Sequence, residues 1–151
     1  MKISIGSDHG GFKLKEAIIN HLKEEGHEVY DFGPHNEESV DYPDYAYLVA
    51  RSVKKKEAKY GIVVCTTGIG VSITANKVKG VRAALCTYLE QASLTRLHND
   101  SNVLALSQKY TDNELAFQIV DTFINTEFSN ELRHKRRVNK IKEIEALEKN
   151  E

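Results

Sequence analysis

Cys65 is the residue of this sequence best placed to do chemistry, because it stands directly before the glycine-rich turn 66–70. A Gly-X-Gly turn ahead of a helix directs backbone N–H groups outward, where they bind a phosphate or a developing oxyanion. The same N–H dipoles favour a thiolate over a thiol, which makes Cys65 a candidate base or nucleophile. Cys86 lies inside the apolar run 83–86 and is interpreted as a core residue, and the same plain interpretation stays open for Cys65.

The turn after Cys65 matches none of the stricter phosphate-binding motifs. The sequence contains no GxxxxGK[ST] motif, no full GxGxxG followed by a ribose-binding acid, and no arginine six residues after Cys65 of the kind that a cysteine phosphatase needs. The turn therefore predicts an anion site and does not by itself identify a reaction.

Two further groups of polar residues could complete a site. His98 and Asn99 follow a predicted helix, and Arg133 and Arg137 lie one turn apart on another, where two guanidinium groups could bind one phosphate. Each group also has a plainer interpretation. His98 could be a cation at the negative end of a helix dipole, and the arginines could form a solvated basic face.

Short β-branched runs alternate with longer amphipathic stretches, which predicts one α/β domain over residues 1–151, of Rossmann-like or flavodoxin-like type. Strands are predicted at 2–6, 27–32, 60–65, 80–87 and 102–106. Helices are predicted at 12–25, 45–56, 72–78, 89–98 and 112–126, with an extra C-terminal helix from about residue 131. The expected fold is a five-stranded parallel sheet with helices on both faces. Ligands of such sheets bind beyond the carboxyl ends of the strands, so one crevice is expected to hold Asp8 and His9, Cys65 with its turn, and His98.

The composition indicates an ordinary folded domain: 40% of the 151 residues are hydrophobic, 28% are charged and the net charge is -1, which disfavours nucleic-acid binding. No signal peptide and no apolar run of about 20 residues is present, so we expect a cytoplasmic protein without membrane contact. Two cysteines without CxxC spacing predict neither a zinc site nor a disulfide framework. The last helix has an apolar edge that indicates docking on a neighbouring subunit, formed by Val138, Ile141, Ile144 and Leu147.

The sequence resembles ribose-5-phosphate isomerase of type B in five segments: GSDHGGFKLKE, DYPDYA, CTTGIGVSITANKVKGVRAA, RLHNDSNVLAL and RHKRRV. The match runs in order over nearly the whole chain. It implies an aldose–ketose isomerase of the pentose phosphate pathway, without cofactor or metal, that converts ribose 5-phosphate to ribulose 5-phosphate through a cis-enediolate. Relatives that act on allose 6-phosphate or galactose 6-phosphate share the fold, and a non-catalytic anion- or nucleotide-binding module is a further alternative.

The resemblance also implies roles for single residues. Cys65 would move a proton between C2 and C1, Thr67 would donate a hydroxyl to the oxyanion hole, and His98 would open the sugar ring. The phosphate would be bound by His9, Arg133 and Arg137. The other implied contacts orient the sugar and His98 or belong to the turn: Asp8, Asp41, Tyr42, Asn99, Thr66, Gly68, Ile69 and Gly70.

Two positions depart from the pattern of this family. Lys109 stands where relatives usually carry a phosphate-binding arginine, so the charge is kept and the bidentate fork is lost. Val71 stands where one branch of the family has a glutamate base, which leaves Cys65 as the only candidate. The resemblance further implies a homodimer, or a dimer of dimers, in which Cys65 of one chain faces His98 and Asn99 of the partner.

Overall fold

Strands and helices alternate along the chain in the computed structural model, which describes residues 1–148. The strands are β1 (Lys2–Ser7), β2 (Glu28–Asp31), β3 (Tyr60–Cys65), β4 (Ala83–Leu85) and β5 (Val103–Ser107). The helices are α1 (Phe12–Glu24), α2 (Tyr42–Lys54), α3 (Ile69–Ala75), α4 (Leu89–Leu94), α5 (Asn113–Asn125) and α6 (Leu132–Glu148). The end of the predicted last helix, residues 149–151, lies outside the described residues.

All strand pairs of the sheet are parallel, and the strand order is β2-β1-β3-β5-β4. The predicted five-stranded parallel sheet is therefore confirmed. The last two strands are exchanged relative to the flavodoxin order 2-1-3-4-5. The central strand β3 is buried at every residue, which explains its unbroken apolar sequence.

Two apolar cores lie on the two faces of the sheet. Side chains of α1, α4 and α5 pack on one face, where Ile18, Ile62 and Phe123 are fully buried. Side chains of α2 and α3 pack on the other face with Val49 and Val63. Successive residues of a strand point to opposite faces, so β3 contributes Ile62 to one core and Val63 to the other.

The carboxyl ends of β1 and β3 form the point where the chain connections separate. β1 continues into α1 on one face of the sheet, whereas β3 continues into α3 on the opposite face. Because the two connections diverge, a crevice opens between them at this edge. Asp8 and the turn 66–70 line it, as the sequence predicts, whereas His9 is absent from the lining.

Two helices begin earlier than their hydrophobic pattern predicts. α3 begins at Ile69 because Gly68 takes a left-handed conformation, with φ 77°, and reverses the chain immediately after β3. α2 begins at Tyr42 because Pro43 stands in its first turn, where a proline is preorganised for a helix. Among residues 1–148, no helix combines the length and the apolar character needed to cross a membrane.

Candidate active site

Cys65 ends β3 with its sulfur against the glycine-rich turn. The Gly68 N–H donates to Cys65 Sγ at 3.1 Å, and the Ile69 N–H donates to Thr67 Oγ1 at 3.2 Å. A Cβ at position 68 would collide with Leu85 and with the Leu106 backbone, so only glycine allows this turn to close against the sheet. The turn thus presents its N–H groups beside the thiol, where they stabilise negative charge.

A cleft of about 400 Å³ lies over this turn at the carboxyl edge of the sheet. Its lining joins the loop after β1, the start of α2 and the turn after β3: Asp8, Tyr42, Cys65, Thr66, Thr67, Ile69, Gly70 and Ile73. The Tyr42 ring lies directly over Gly70, where a Cβ would come within 2.6 Å of Tyr42 Cε1. Gly70 therefore allows the tyrosine to form one wall of the cleft.

The loop after β1 is held firmly at the border of the cleft. Asp8 Oδ1 accepts the Gly11 N–H at 3.0 Å, and the Asp8 N–H donates to the Val64 carbonyl at 3.3 Å. His9 is exposed, and its Nδ1 accepts the Val40 N–H at 3.2 Å. A histidine that accepts through Nδ1 carries its proton on Nε2, so His9 can donate to an anion from that nitrogen.

Lys109 stands beside the same turn because its backbone N–H donates to the Thr66 carbonyl at 3.0 Å. Its ammonium lies 5.5 Å from the Tyr110 ring centroid. Asp41, by contrast, occupies the N-cap position of α2 without a capping hydrogen bond, is exposed, and is absent from the cleft lining, although its neighbour Tyr42 belongs to it.

A second cavity, of about 370 Å³, is lined by the predicted ring-opening residue His98 and by two of the predicted phosphate ligands, Arg133 and Arg137, but not by His9. Its lining comes from the turn after α4 and from the first half of α6: His98, Asn99, Arg133, His134, Arg137, Val138 and Ile141. The cleft and this cavity share no lining residue.

The expectation of one crevice within a single chain is wrong for His98 and Asn99. α4 starts beyond the carboxyl end of β4 and runs back along the sheet, so its last turn lies near the amino edge. There the Gly61 N–H donates to the Asn102 carbonyl at 3.0 Å. Cys65 lies four residues further along β3 than Gly61, about 13 Å toward the opposite edge.

His134 is a residue of the second cavity that sequence reasoning missed. It is buried, its Nδ1 lies 2.6 Å from Ser129 Oγ, and its ring centroid lies 4.4 Å from that of His98. Burial, and then the charges of His98 and Arg133, lower the pKa of His134. A neutral ring beside His98 limits the positive charge of a cavity that already contains Arg133 and Arg137. Its position one residue after Arg133 in RHKRRV was the available signal.

One group of side chains among residues 1–148 has the composition of a metal site: His21, Glu25 and Asp121. His21 Nε2 lies 2.9 Å from Asp121 Oδ1 and 3.2 Å from Glu25 Oε1. Burial, and then the neighbouring Asp121, raise the pKa of Glu25. The group lies between α1 and α5, outside the lining of the cleft and of the second cavity, and its members pair with one another as an ion-pair cluster.

Iodoacetamide is expected to alkylate Cys65 and to leave Cys86 unmodified. Both thiols are buried, but Cys65 lines the cleft, whereas burial raises the pKa of the Cys86 thiol to about 12. Peptide mapping by mass spectrometry measures the two rates, and the Cys65→Ala variant is the control that leaves only Cys86. Faster labelling of Cys86 would contradict the assignment of Cys65 as the reactive thiol.

The chain is similar to sugar-phosphate isomerases over nearly its full length. The family described as Ribose/Galactose Isomerase matches residues 3–141. Ribose-5-phosphate isomerase B of Escherichia coli is 46% identical over 144 residues, which are 95% of this chain and 96% of that protein.

Solved structures agree with this similarity. The fold matches ribose-5-phosphate isomerase B of Clostridium thermocellum with a TM-score of 0.95 and 54% identity, over 97% of this chain and 98% of that one. It matches ribose-5-phosphate isomerase B of Mycoplasma genitalium, determined with bound ribulose-5-phosphate, with a TM-score of 0.92 and 44% identity, over 96% of each chain. Residues 3–141, which match the family, include every residue that lines the cleft and the second cavity.

Proposed function

Because the chain belongs to the ribose/galactose isomerase family, we propose that it interconverts ribose 5-phosphate and ribulose 5-phosphate through a cis-enediolate, a step of the pentose phosphate pathway. The observation that carries this proposal is the hydrogen bond from the Gly68 N–H to Cys65 Sγ, at 3.1 Å, in the wall of a cleft. A single turn thus combines a candidate base with N–H groups that stabilise an oxyanion.

Cys65 acts as the base in the proposed proton transfer. Its thiolate removes the proton from C2 of the open-chain aldose, and the C2–H electrons form the C1–C2 double bond of an enediolate whose negative charge rests on O1. The N–H groups of the turn and the Thr67 hydroxyl stabilise that charge. The hydroxyl proton of O2 then moves to the negatively charged O1 as the C2 carbonyl forms, and Cys65 returns the proton taken from C2 to C1, which gives the C1 hydroxyl and C2 ketone of ribulose 5-phosphate. The number of protons and electrons is conserved, so the reaction needs no external oxidant or reductant.

A second chain completes the proposed site. The cleft holds Cys65, Thr67 and Asp8, while the candidate ring-opening residue His98 lies near the opposite edge of the sheet. A twofold dimer can place the second cavity of the partner over the cleft, and each dimer then has two identical sites. Ile141 supports this arrangement, because it lines the second cavity, is 44% exposed and belongs to the apolar edge of α6.

The phosphate is bound by hydrogen-bond donors from both chains in this arrangement. His9 and Lys109 belong to the Cys65 side, and Arg133 and Arg137 to the His98 side. Each charge-assisted hydrogen bond contributes about 1.5–3 kcal/mol, so a few of them anchor a small sugar while its other end reacts. Asp8, Tyr42 and Asn99 orient the sugar hydroxyls, and Asp41 is proposed with them from its place beside Tyr42.

A hexose 6-phosphate is the second candidate substrate, because the matching family covers galactose as well as ribose isomerases. Lys109 favours neither sugar on charge alone, since it keeps the cation and loses the fork of an arginine. The ratio of kcat/KM values for ribose 5-phosphate, allose 6-phosphate and galactose 6-phosphate separates the two candidates.

Ketose formation from ribose 5-phosphate, measured on purified protein without added metal, tests the proposed function. We expect turnover of ribose 5-phosphate above that of the two hexose phosphates. If only a hexose 6-phosphate is turned over, the protein is a hexose 6-phosphate isomerase that uses the same proposed mechanism. The absence of turnover with all three sugars would leave a non-catalytic anion-binding module.

The Arg137→Ala variant is expected to raise KM for ribose 5-phosphate by roughly 10- to 100-fold with a smaller change in kcat, because it loses about 1.5–3 kcal/mol of phosphate binding. Arg136→Ala is the matched control, since it removes the same charge from the neighbouring position of α6, which is exposed and outside the cavity lining. Steady-state kinetics measure both. Equal KM values for the two variants would remove Arg137 from the phosphate site.

The same measurement extends to Lys109. Because an arginine can bind a phosphate through two parallel N–H groups, Lys109→Arg is expected to leave kcat/KM for ribose 5-phosphate unchanged or higher. A severe loss in Lys109→Arg would contradict the expectation that an arginine can replace Lys109 at the phosphate.

A further inference from the structure

The turn that carries His98 and Asn99 has an unusual backbone. Residues Thr95–Asn99 form a π-helical turn in which the Asp100 N–H donates to the Thr95 carbonyl, and Asp100 itself is left-handed, with φ 48° and ψ 45°. π-helical turns and left-handed residues other than glycine persist only where the surrounding structure holds them, and they are frequent at functional sites.

Arg96, a residue of this turn, stabilises its conformation through its buried side chain. It is 4% exposed, and its Nη1 donates to Asp100 Oδ1 at 2.9 Å and to the Ser101 carbonyl at 2.6 Å. Its Nε donates to the Thr126 carbonyl at 3.0 Å, in the segment that leads to α6. The Tyr60 ring lies 4.9 Å from the guanidinium. Arg96 therefore connects the His98 turn to the start of the helix that carries Arg133 and Arg137.

Arg82 stabilises the same turn through hydrogen bonds of its guanidinium group. This residue directly precedes β4, and its Nε donates to the Asn99 carbonyl at 2.9 Å while its Nη2 donates to the Asp100 carbonyl at 2.8 Å. Thr95 Oγ1 donates to Asn99 Oδ1 at 3.2 Å. Within residues 1–148 the Asn99 amide NH₂ group has no hydrogen bond, so it can act as a donor in the second cavity, which Asn99 lines. Arg82 thus binds the backbone of two consecutive residues, Asn99 and Asp100, while Arg96 binds the Asp100 carboxylate and the Ser101 carbonyl.

We propose that Arg82 and Arg96, the arginine pair, are positioning residues for the opening of the sugar ring, because they hold His98 and Asn99 in the one backbone geometry that reaches the ring oxygen. Neither arginine lines the cleft or the second cavity, so both act through the turn. The inference rests on the proposed function, in which His98 opens the ring and Cys65 moves the carbon-bound proton.

Ring opening and proton transfer by Cys65 are expected to respond differently to the loss of the arginine pair. Ring opening requires a proton donor placed against the ring oxygen of ribose 5-phosphate, and a displacement of about 1 Å can cost 100-fold in rate. Ribulose 5-phosphate cannot form a five-membered ring because its O5 is esterified, so it enters the site as an open chain. Proton removal from its C1 therefore needs Cys65, at the other edge of the sheet, and not ring opening.

The Arg82→Met variant separates the two steps. Arg82 contacts the turn only through backbone carbonyls and Asp100, and its side chain is 16% exposed, so the fold is expected to tolerate the change. Turnover of ribose 5-phosphate at saturation is expected to fall about 10- to 100-fold. Deuterium incorporation from D₂O into C1 of ribulose 5-phosphate, followed by NMR, is expected to stay within about twofold of the wild type, since it depends on Cys65.

Two further variants make this comparison specific. Lys79 and Arg82 both line a third cavity, separate from the cleft and from the second cavity. Lys79→Met removes a positive charge there, and within residues 1–148 Lys79 has no hydrogen bond to the turn, so this variant is expected to keep both activities. Arg82→Lys keeps the charge and one donor, and it is expected to recover part of the ring-opening rate. Thermal unfolding of each variant monitors the fold.

The outcomes are distinguishable. A parallel fall of turnover and exchange in Arg82→Met, or no fall in either, would overturn the role of the arginine pair while leaving the proposed function in place. A wild-type protein that shows neither turnover nor exchange would instead overturn the proposed function, and the positioning role with it.

Discussion

Replacing Cys65 with alanine is expected to lower turnover of ribose 5-phosphate by about 10²- to 10⁴-fold, the usual cost of losing a positioned base. The physical reason is that the Gly68 N–H donates to its sulfur at 3.1 Å, and that Val71 offers no carboxylate in its place. Steady-state turnover and C1 exchange of ribulose 5-phosphate measure the loss, and both are expected to fall together because both need the same base.

Cys86→Ala is the matched control for this prediction. It removes the other thiol of the chain from a buried position on the opposite face of the sheet, so it is expected to reduce stability slightly and to keep turnover near that of the wild type. Full activity in Cys65→Ala, with an unchanged unfolding temperature, would rule out Cys65 as the base.

Mixing the inactive variants Cys65→Ala and His98→Asn is expected to restore roughly a quarter of wild-type activity. The sheet separates Cys65 from His98 within a chain, so a shared site takes one residue from each subunit. Random exchange makes about half of the dimers mixed, and each mixed dimer contains one site with both native residues and one with neither. Activity is measured after subunit exchange has been induced and confirmed by mass spectrometry.

The control for complementation is a mixture of Cys65→Ala with the double variant Cys65→Ala/His98→Asn. No dimer in that mixture has a native Cys65, so no activity is expected to return. If the first mixture also stays inactive although its subunits have exchanged, Cys65 and His98 do not act across a dimer interface.

The fold could be predicted in detail because each element has a local pattern. Leu14, Ile18 and Leu22 recur every four residues and are buried in α1, whose bounds agree with the prediction to within one residue. The unbroken apolar run 60–65 is the central strand β3. The exchanged order of β4 and β5 could not be predicted, because strand order depends on which neighbour pairs best across the sheet, and residues distant in sequence decide that.

The cleft could be predicted for the same local reason. A cysteine that ends a buried strand and a glycine turn that follows it are neighbours in sequence, so their geometry depends on a few dihedral angles. The arginine pair had no such signal. In the sequence, Arg82 and Arg96 look like ordinary basic residues. Only the fold places Arg82 against the backbone of Asn99 and buries Arg96 against Tyr60.

The sequence by itself determined the elements, the parallel sheet, and the association of Cys65 with a glycine-rich turn, because these follow from periodicity and from residues within one loop. Only the tertiary structure decided that His98 lies away from Cys65, since the helix that follows β4 carries the chain back to the amino edge of the sheet, where Arg133 and Arg137 of α6 line the same cavity. Spacing along a chain specifies which residues share a helix face, and it contains no information about which edge of the sheet that helix end reaches.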